Sequence, residues 1–273
     1  MYLQFETNNR CNAKCSFCPH PGMKKRDPMP TAMIYKVIDE MAPHVDSILP
    51  FLYQEPMMEP RLLSILQRVK CRNPNCSTAI YTNAALLTKD RSNIIIQSGW
   101  LDQIFISFYG PTEELYNKYQ QGLNWARTKQ NIRDLMQNRE GHTKPYVTMW
   151  YIELPDLMAE IDKMKPLADL VDRFGVVAYE TFCGLNPELV SYPGTVRKPC
   201  ARLYQGMNIL CDGTVVPCCL DYSGSVPLGN AVEENCLDIW NGDKMLKLRQ
   251  LHLTEQWDQL PDLCRTCTVW KRV

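Results

Sequence analysis

The chain of 273 residues reads as α/β: a partial (β/α)6 barrel over residues 1–183, followed by a small cysteine-rich β-hairpin-plus-helix domain over residues 184–273. Three observations predict this. Strand-like apolar runs alternate with amphipathic helical stretches six times, the signature of a parallel sheet covered by helices, and six units are too few to close an eight-stranded barrel. After Tyr179 the periodicity stops, and Gly184 to Pro199 carries Pro187, Pro193 and Gly194 with no helical face. Beyond that boundary, Asp212-Gly213 between two apolar runs marks a tight hairpin turn.

Taken in order, Tyr2 to Phe5 is a strand and the loop after it holds Cys11, Cys15 and Cys18. Thr31 is expected to cap a helix that buries Met33, Ile34, Val37, Ile38 and Met41. Strand two is Ile48 to Tyr53, followed by a helix with Leu62, Leu63, Ile65, Leu66 and Val69 at helical spacing. Strand three runs from Thr78 to Thr82, with a helix from Thr88 to Ile96, and strand four from Gln103 to Phe108. A helical region from Thr112 to Asn138, broken near Gly122, leads to strand five at Tyr146 to Ile152. Asp156 to Phe174 is expected as a helix bent at Pro166, and Val176 to Tyr179 as strand six. In the second domain, Met207 to Leu210 and Thr214 to Pro217 form the hairpin. A helix from Leu237 to Leu251 buries Leu237, Ile239 or Trp240, Leu246, Leu248 and Leu251.

Composition narrows the function. Thirty basic and thirty acidic residues cancel, so no long-range field favours nucleic acid or an anionic membrane. No basic segment precedes an apolar run at the start and no 18-residue apolar stretch occurs, so the expectation is a cytoplasmic protein. Thirteen cysteines in a strongly periodic chain then read as metal ligands and core residues rather than as a disulfide framework.

The spacing Cys11-x3-Cys15-x2-Cys18 would arise by accident roughly 0.03 times in such a chain. Thiolates are the usual ligands of iron-sulfur clusters, and three of them leave the fourth iron of a four-iron cluster open to a small molecule. A zinc knuckle is the alternative, with His20 as the fourth ligand. Cys200, Cys218, Cys264 and Cys267 form a second, closed set, equally suited by itself to a zinc ribbon. Cys71 and Cys76 read as packing residues, while Cys183, Cys211, Cys219 and Cys236 lie nearer the two sets. His20, His44, His142 and His252 lack ligand spacing for catalysis. In barrels of this kind the chemistry sits at the C-terminal strand ends. That places Gln54, Glu55, Asn83, Ser107, Tyr109, Trp150, Tyr151 and Glu153 with the first three cysteines.

The segment Cys11-Asn12-Ala13-Lys14-Cys15-Ser16-Phe17-Cys18 resembles the CxxxCxxC hallmark of the radical S-adenosylmethionine (SAM) superfamily, aromatic residue included. The resemblance spans nearly the whole chain and implies that SAM chelates the open iron of a [4Fe-4S] cluster in a six-stranded partial barrel. It implies SAM contacts from Phe17, from Gln54 and Glu55 in Tyr53-Gln54-Glu55-Pro56, from Asn83, from Ser107 and from Val177 or its neighbours. In Tyr53-Gln54-Glu55-Pro56 both glycines of the family's glycine-glycine-glutamate-proline segment are replaced. Cys200-x12-Gly213-x4-Cys218 resembles the opening of SPASM/twitch auxiliary domains. The form implied is the shorter twitch type, with a second [4Fe-4S] cluster on Cys200, Cys218, Cys264 and Cys267.

The resemblance further implies reductive cleavage of SAM to a 5′-deoxyadenosyl radical and hydrogen abstraction from a small molecule or peptide, with a flavodoxin- or ferredoxin-type electron donor. Dehydrogenation is the first expectation, since a closed second cluster suits an electron acceptor. An epimerase or peptide-modifying enzyme with a cysteine hydrogen donor is the alternative, and a non-catalytic zinc module the alternative of another class. Candidates for the catalytic base or donor are Tyr109, Tyr151, Glu153, Glu180, Arg202, Cys183 and Cys219.

Overall fold

The computed structural model describes residues 1–183 and 196–272. The expected boundary segment with Pro187, Pro193 and Gly194 lies outside the described residues. The strands are β1 (Tyr2–Phe5), β2 (Lys14–Cys15), β3 (Ser47–Leu49), β4 (Ser77–Thr82), β5 (Gln103–Ser107), β6 (Gln120–Gln121), β7 (Tyr146–Glu153), β8 (Arg173–Ala178), β9 (Gly206–Ile209), β10 (Thr214–Val216) and β11 (Gly229–Asn230). The helices are α1 (Thr31–Met41), α2 (Leu62–Arg72), α3 (Lys89–Ser98), α4 (Glu113–Tyr119), α5 (Trp125–Asn138), α6 (Pro155–Ala159), α7 (Lys165–Ala168), α8 (Arg202–Gln205), α9 (Cys236–Asn241), α10 (Asp243–Leu253) and α11 (Asp262–Thr266).

One nine-stranded sheet runs in the order β11-β10-β9-β1-β3-β4-β5-β7-β8. The six strands from β1 to β8 pair in parallel, as the alternating units require. The C-terminal hairpin joins the same sheet: β9 pairs in parallel with β1, Tyr2 against Gly206 and Phe5 against Ile209, and β10 pairs antiparallel with β9. A separate ribbon pairs β2 with β6.

Two large cores hold the layers, beside a small cluster of Leu52, Tyr53, Leu210 and Val216. Ile80, Ile104, Ile106, Val147 and Met149 pack beneath Ile95, Ile96, Ile132 and Leu135 of α3 and α5. Leu3 and Phe5 share the other core with Ile34, Val37 and Ile38 of α1 and with Met207, Ile239 and Leu248. The helix α1 thus covers barrel and C-terminal region at once. Burying side chains of this size stabilises by about 1.5–3 kcal/mol each.

Several sequence expectations shift. Thr31 is the first helical residue of α1 rather than its cap, and Pro30 stands at the cap position with no side-chain bond; the Thr31 hydroxyl instead accepts from Arg61 at 3.0 Å. Strand two ends at Leu49 because the chain turns there, Phe51 N–H bonding the Leu49 carbonyl. The expected helix from Asp156 to Phe174 breaks into α6, a 3-10 turn and α7. Pro166 lies in the first turn of α7, where its missing N–H costs nothing, and Phe174 belongs to β8. The C-terminal helix divides at Gly242, extended at φ −75° and ψ 163°, and Leu246 faces out while Met245 is buried.

Candidate active site and second thiol site

The first cysteine loop is pinned from both sides. Pairing of Cys15 with Gln120 fixes its middle, Ser16 N–H bonds the Tyr119 carbonyl at 3.2 Å, and Cys18 N–H bonds the Cys15 carbonyl at 3.1 Å. Phe17 turns inward against Tyr109 (5.4 Å), Tyr179 (6.0 Å) and Tyr119 (6.1 Å). Aromatic packing of this kind adds about 0.5–1.5 kcal/mol per pair beyond area.

Backbone N–H groups already point at two of the sulfurs, from Ala13 to Cys11 at 3.4 Å and from His20 to Cys18 at 3.5 Å. Burial pushes the Cys11 thiol up to about 11 and raises Cys15 and Cys18 as well, and neighbouring thiols add to the rise at Cys11 and Cys15. Three crowded, desolvated sulfurs are a donor set whose ionisation needs a positive partner, which an iron-sulfur cluster supplies. The His20 ring is engaged elsewhere, its Nε2 lying 3.0 Å from the Asn9 carbonyl. Among the described residues no group of three or more His, Cys, Asp or Glu side chains sits at single-ion spacing. A cluster of several irons holds its thiolates farther apart than one zinc ion does.

Around this loop the strand ends interlock. Glu55 N–H bonds the Arg10 carbonyl at 2.9 Å, and Asn83 Nδ2 donates to Asn12 Oδ1 at 2.9 Å. The buried Glu55 carboxylate accepts from Thr82 Oγ1 (2.6 Å), Asn83 N–H (2.9 Å) and Met57 N–H (3.0 Å), and burial nevertheless raises its pKa. A carboxylate offers about four acceptor positions, so one remains for an ammonium. Gln54 is spent internally, its Oε1 accepting from Thr7 N–H at 2.8 Å and Asn8 N–H at 3.2 Å.

Strand register decides which side chains face the barrel interior. Paired residues of parallel strands share a face, so Ser107, Trp150 and Gly175 point together, with Val177 two residues on. Phe105 stacks on Tyr81 at 4.3 Å and lies parallel to Trp150 at 6.3 Å, giving the interior an aromatic floor. At Gly175 a Cβ would sit 2.3 Å from the Trp150 ring, so a larger residue there would have to displace the indole.

Of the candidate bases, Tyr151 faces the helices instead, fully buried, with its hydroxyl donating to the Leu157 carbonyl at 2.8 Å. Burial drives its pKa above the tyrosine range. Tyr109 is also buried and raised, with Ser107 as its side-chain partner. Glu153 is exposed. Glu180 and Arg202 do meet: Arg202 Nη2 donates to Glu180 Oε2 at 3.0 Å while Nη1 donates to Cys219 Sγ at 2.9 Å.

Cys200, Cys218, Cys264 and Cys267 line one cavity of about 400 Å³ together with Cys183 and Arg202. This donor set fits an iron-sulfur cluster by the same argument of buried thiols. The cavity adjoins the barrel through Arg202, whose charge also bears on Tyr2 of β1.

The sequence reading missed Glu6, which by alternation from Tyr2 and Gln4 faces inward and is wholly buried. Its Oε2 accepts from Cys211 N–H at 3.2 Å, Oε1 has no hydrogen-bond partner within bonding distance among the described residues, and burial pushes the carboxyl up to about 7. A count of two along β1 is the signal that finds it. Gln120 was missed too: its amide bridges the Tyr109 N–H (2.7 Å) and the Ser107 carbonyl (2.8 Å).

The chain is similar to several known proteins in sequence and in fold. Residues 200–268 match the SPASM family model, an iron-sulfur cluster-binding domain. The chain is 23% identical over 270 residues to the S-adenosyl-L-methionine-dependent 2-deoxy-scyllo-inosamine dehydrogenase of Niallia circulans, covering 97% of this chain and 91% of that protein. Its fold is similar to that of BtrN in complex with AdoMet and 2-DOIA (TM-score 0.66, 18% identity, 97% of this chain and 92% of that one). It is also similar to Streptococcus suis SuiB bound to precursor peptide SuiA (TM-score 0.72, 17% identity, 91% of this chain and 66% of that one). Residues 5–149, more than half of the chain, match the Radical SAM superfamily model, and the protein belongs to that superfamily.

Proposed function

We infer that this radical SAM enzyme is a dehydrogenase that oxidises an alcohol carbon of a small polar substrate by two electrons. Cys11, Cys15 and Cys18 would hold an iron-sulfur cluster that would supply the electron for reductive SAM cleavage, and Cys200, Cys218, Cys264 and Cys267 would hold a second one able to accept the electron left on the substrate. The chain's own residues do the rest. Glu55, held by three donors, presents its fourth acceptor position to the SAM ammonium, and Asn83, tied to Asn12, closes that side. Ser107 and Val177 line the interior wall where the nucleoside lies, and Phe17 locks the loop beneath it. Gln54 acts through Thr7 and Asn8 rather than by touching SAM.

The observation that supports oxidation is the junction of Arg202 with Glu180 and Cys219, 3.0 and 2.9 Å, placed between barrel and second thiol cavity. There Glu180 accepts the hydroxyl proton while Arg202 orients the substrate oxygen. The relative named as a 2-deoxy-scyllo-inosamine dehydrogenase makes an amino-polyol the first substrate class to try, with a peptide side chain as the second. A flavodoxin- or ferredoxin-type protein supplies the reducing electron. Among the described residues no helix is long and apolar enough to cross a membrane.

The test is anaerobic purification followed by incubation with SAM, reductant and carbon-deuterated amino-polyols or peptides. Expected are brown protein with about eight irons, label in 5′-deoxyadenosine, and a product two mass units lighter than unlabelled substrate. Solvent deuterium at carbon in a product of unchanged oxidation state would make the enzyme an epimerase, and colourless zinc-loaded protein would remove the radical chemistry altogether.

A further inference from the structure

The second thiol cavity has one sulfur more than a four-iron cluster can take. Besides the four expected ligands its wall includes Cys183, whose thiol neighbours that of Cys267. Two sulfurs in contact lie within reach of the same iron. Cys183 comes to this place on a costly backbone: Phe182 and Cys183 stand at φ +45° and +61°, left-handed conformations that non-glycine residues rarely adopt. Such strain persists only where the surroundings enforce it, and it gathers at functional sites. Here the span is anchored at each step. Tyr179 packs on Phe17 at 6.0 Å, and Glu180 takes the Arg202 bond at 3.0 Å. Thr181 Oγ1 lies 2.9 Å from the hydroxyl of Thr268, the residue after Cys267. The two threonines clamp the segment bearing Cys183 to the one bearing Cys267.

We propose that Cys183 is an exchange ligand of the second iron-sulfur site, able to hold through its own sulfur the iron otherwise held by Cys267. This deepens the reading of that cavity as a cluster site and rests on it. The exchange replaces one iron-sulfur bond by another. The Cys183 thiol gives its proton to solvent as its sulfur binds, the Cys267 sulfur takes one up as it leaves, and no electron is gained or lost. A cysteine that merely packs would be indifferent to whether Cys267 is present.

The test uses full-length protein carrying Cys11→Ala, Cys15→Ala and Cys18→Ala, so that only the second site can hold iron, reconstituted anaerobically with iron and sulfide. To this parent are added Cys267→Ala, or Cys267→Ser where melting shows the alanine variant unfolded. Iron content and iodoacetamide labelling followed by mass spectrometry are read, neither of which depends on catalysis. In the loaded parent Cys183 is expected to be alkylated and Cys267 protected. In the loaded Cys267 variant Cys183 becomes protected, with labelling slowed about tenfold or more because its thiolate is tied to iron, and a Cys183→Ala addition lowers the iron retained. Cys183 labelling at the parent's rate in that variant, or iron unchanged by the added Cys183→Ala, overturns the exchange. A parent that takes up no iron overturns the cluster reading itself.

Discussion

The ring of Phe17 meets the ring of Tyr179 edge-on, 6.0 Å apart at 75°. Phe17 stands beside the last cysteine of the first trio, and Tyr179 opens the segment that reaches the second thiol cavity at Cys183. The two sites are thus joined by packing as well as through the shared sheet. Phe17→Ala is expected to destabilise the apo-protein by about 3–5 kcal/mol in urea unfolding and to reduce iron held at the trio. An unchanged midpoint would remove this packing role.

Two buried carboxylates give stability opposite pH slopes. Burial lifts Glu6 from 4.5 to about 7, so the fold holds its proton more tightly than the unfolded chain does. That contribution is complete below about pH 4.5 and is lost as pH rises towards 7, on the order of 3 kcal/mol at about 1.36 kcal/mol per unit. Glu6→Gln should therefore gain stability over the native protein between about pH 5 and 8 in paired melts. A constant difference across that range would count against the buried acid.

For Glu59, burial alone would raise the pKa, but bonds from Arg61, Thr7 and Asn8 outweigh it and lower it from 4.5 to about 2. Its contribution is present above pH 4.5 and lost as pH falls towards 2. Arg61 binds it through Nε at 2.7 Å and Nη2 at 3.0 Å. Arg61→Met leaves a buried charge unpaired and should cost about 3–5 kcal/mol at neutral pH, measured by urea denaturation, with the cost shrinking as pH falls below about 4.5 and little of it left only at about pH 2.

Gly175→Ala drives a methyl group into Trp150 on the interior face, where the gap is 2.3 Å. The indole must shift to admit it. The expected outcome is a loss of about 1–3 kcal/mol together with weaker substrate binding, read as a raised KM. Wild-type KM with wild-type melting would place Trp150 outside the substrate path.

If Glu180 takes the hydroxyl proton, Glu180→Gln should lower turnover of substrate by about 10²–10⁴ while uncoupled SAM cleavage persists. Turnover within a factor of two of wild type would assign the base elsewhere.

Much of this architecture is legible in the chain. The strand-helix alternation through β8 and the Asp212-Gly213 hairpin rest on local periodicity and turn chemistry, which single segments express by themselves. The breaks are less visible: Pro166 suggests a bend within one helix, whereas the segment divides into α6, a 3-10 turn and α7 before β8 begins at Arg173, because the pull of β7 on β8 is a contact between segments. Leu246 and Met245 exchanged roles because dividing the helix at Gly242 resets its buried face.

The amino-acid order alone determined the chemistry on offer: three thiols at cluster spacing, four more at the far end, and the strands that lead to them, since spacing along a chain is a local property. Only tertiary packing decided the use of that chemistry. Parallel register turned Tyr151 towards the helices and Val177 into the barrel, and pairing of β9 with β1 brought the second thiols beside Arg202. It also brought Cys183 against Cys267, 84 positions apart. Such contacts are paid for by burial across the whole sheet, and no short stretch of sequence carries that term.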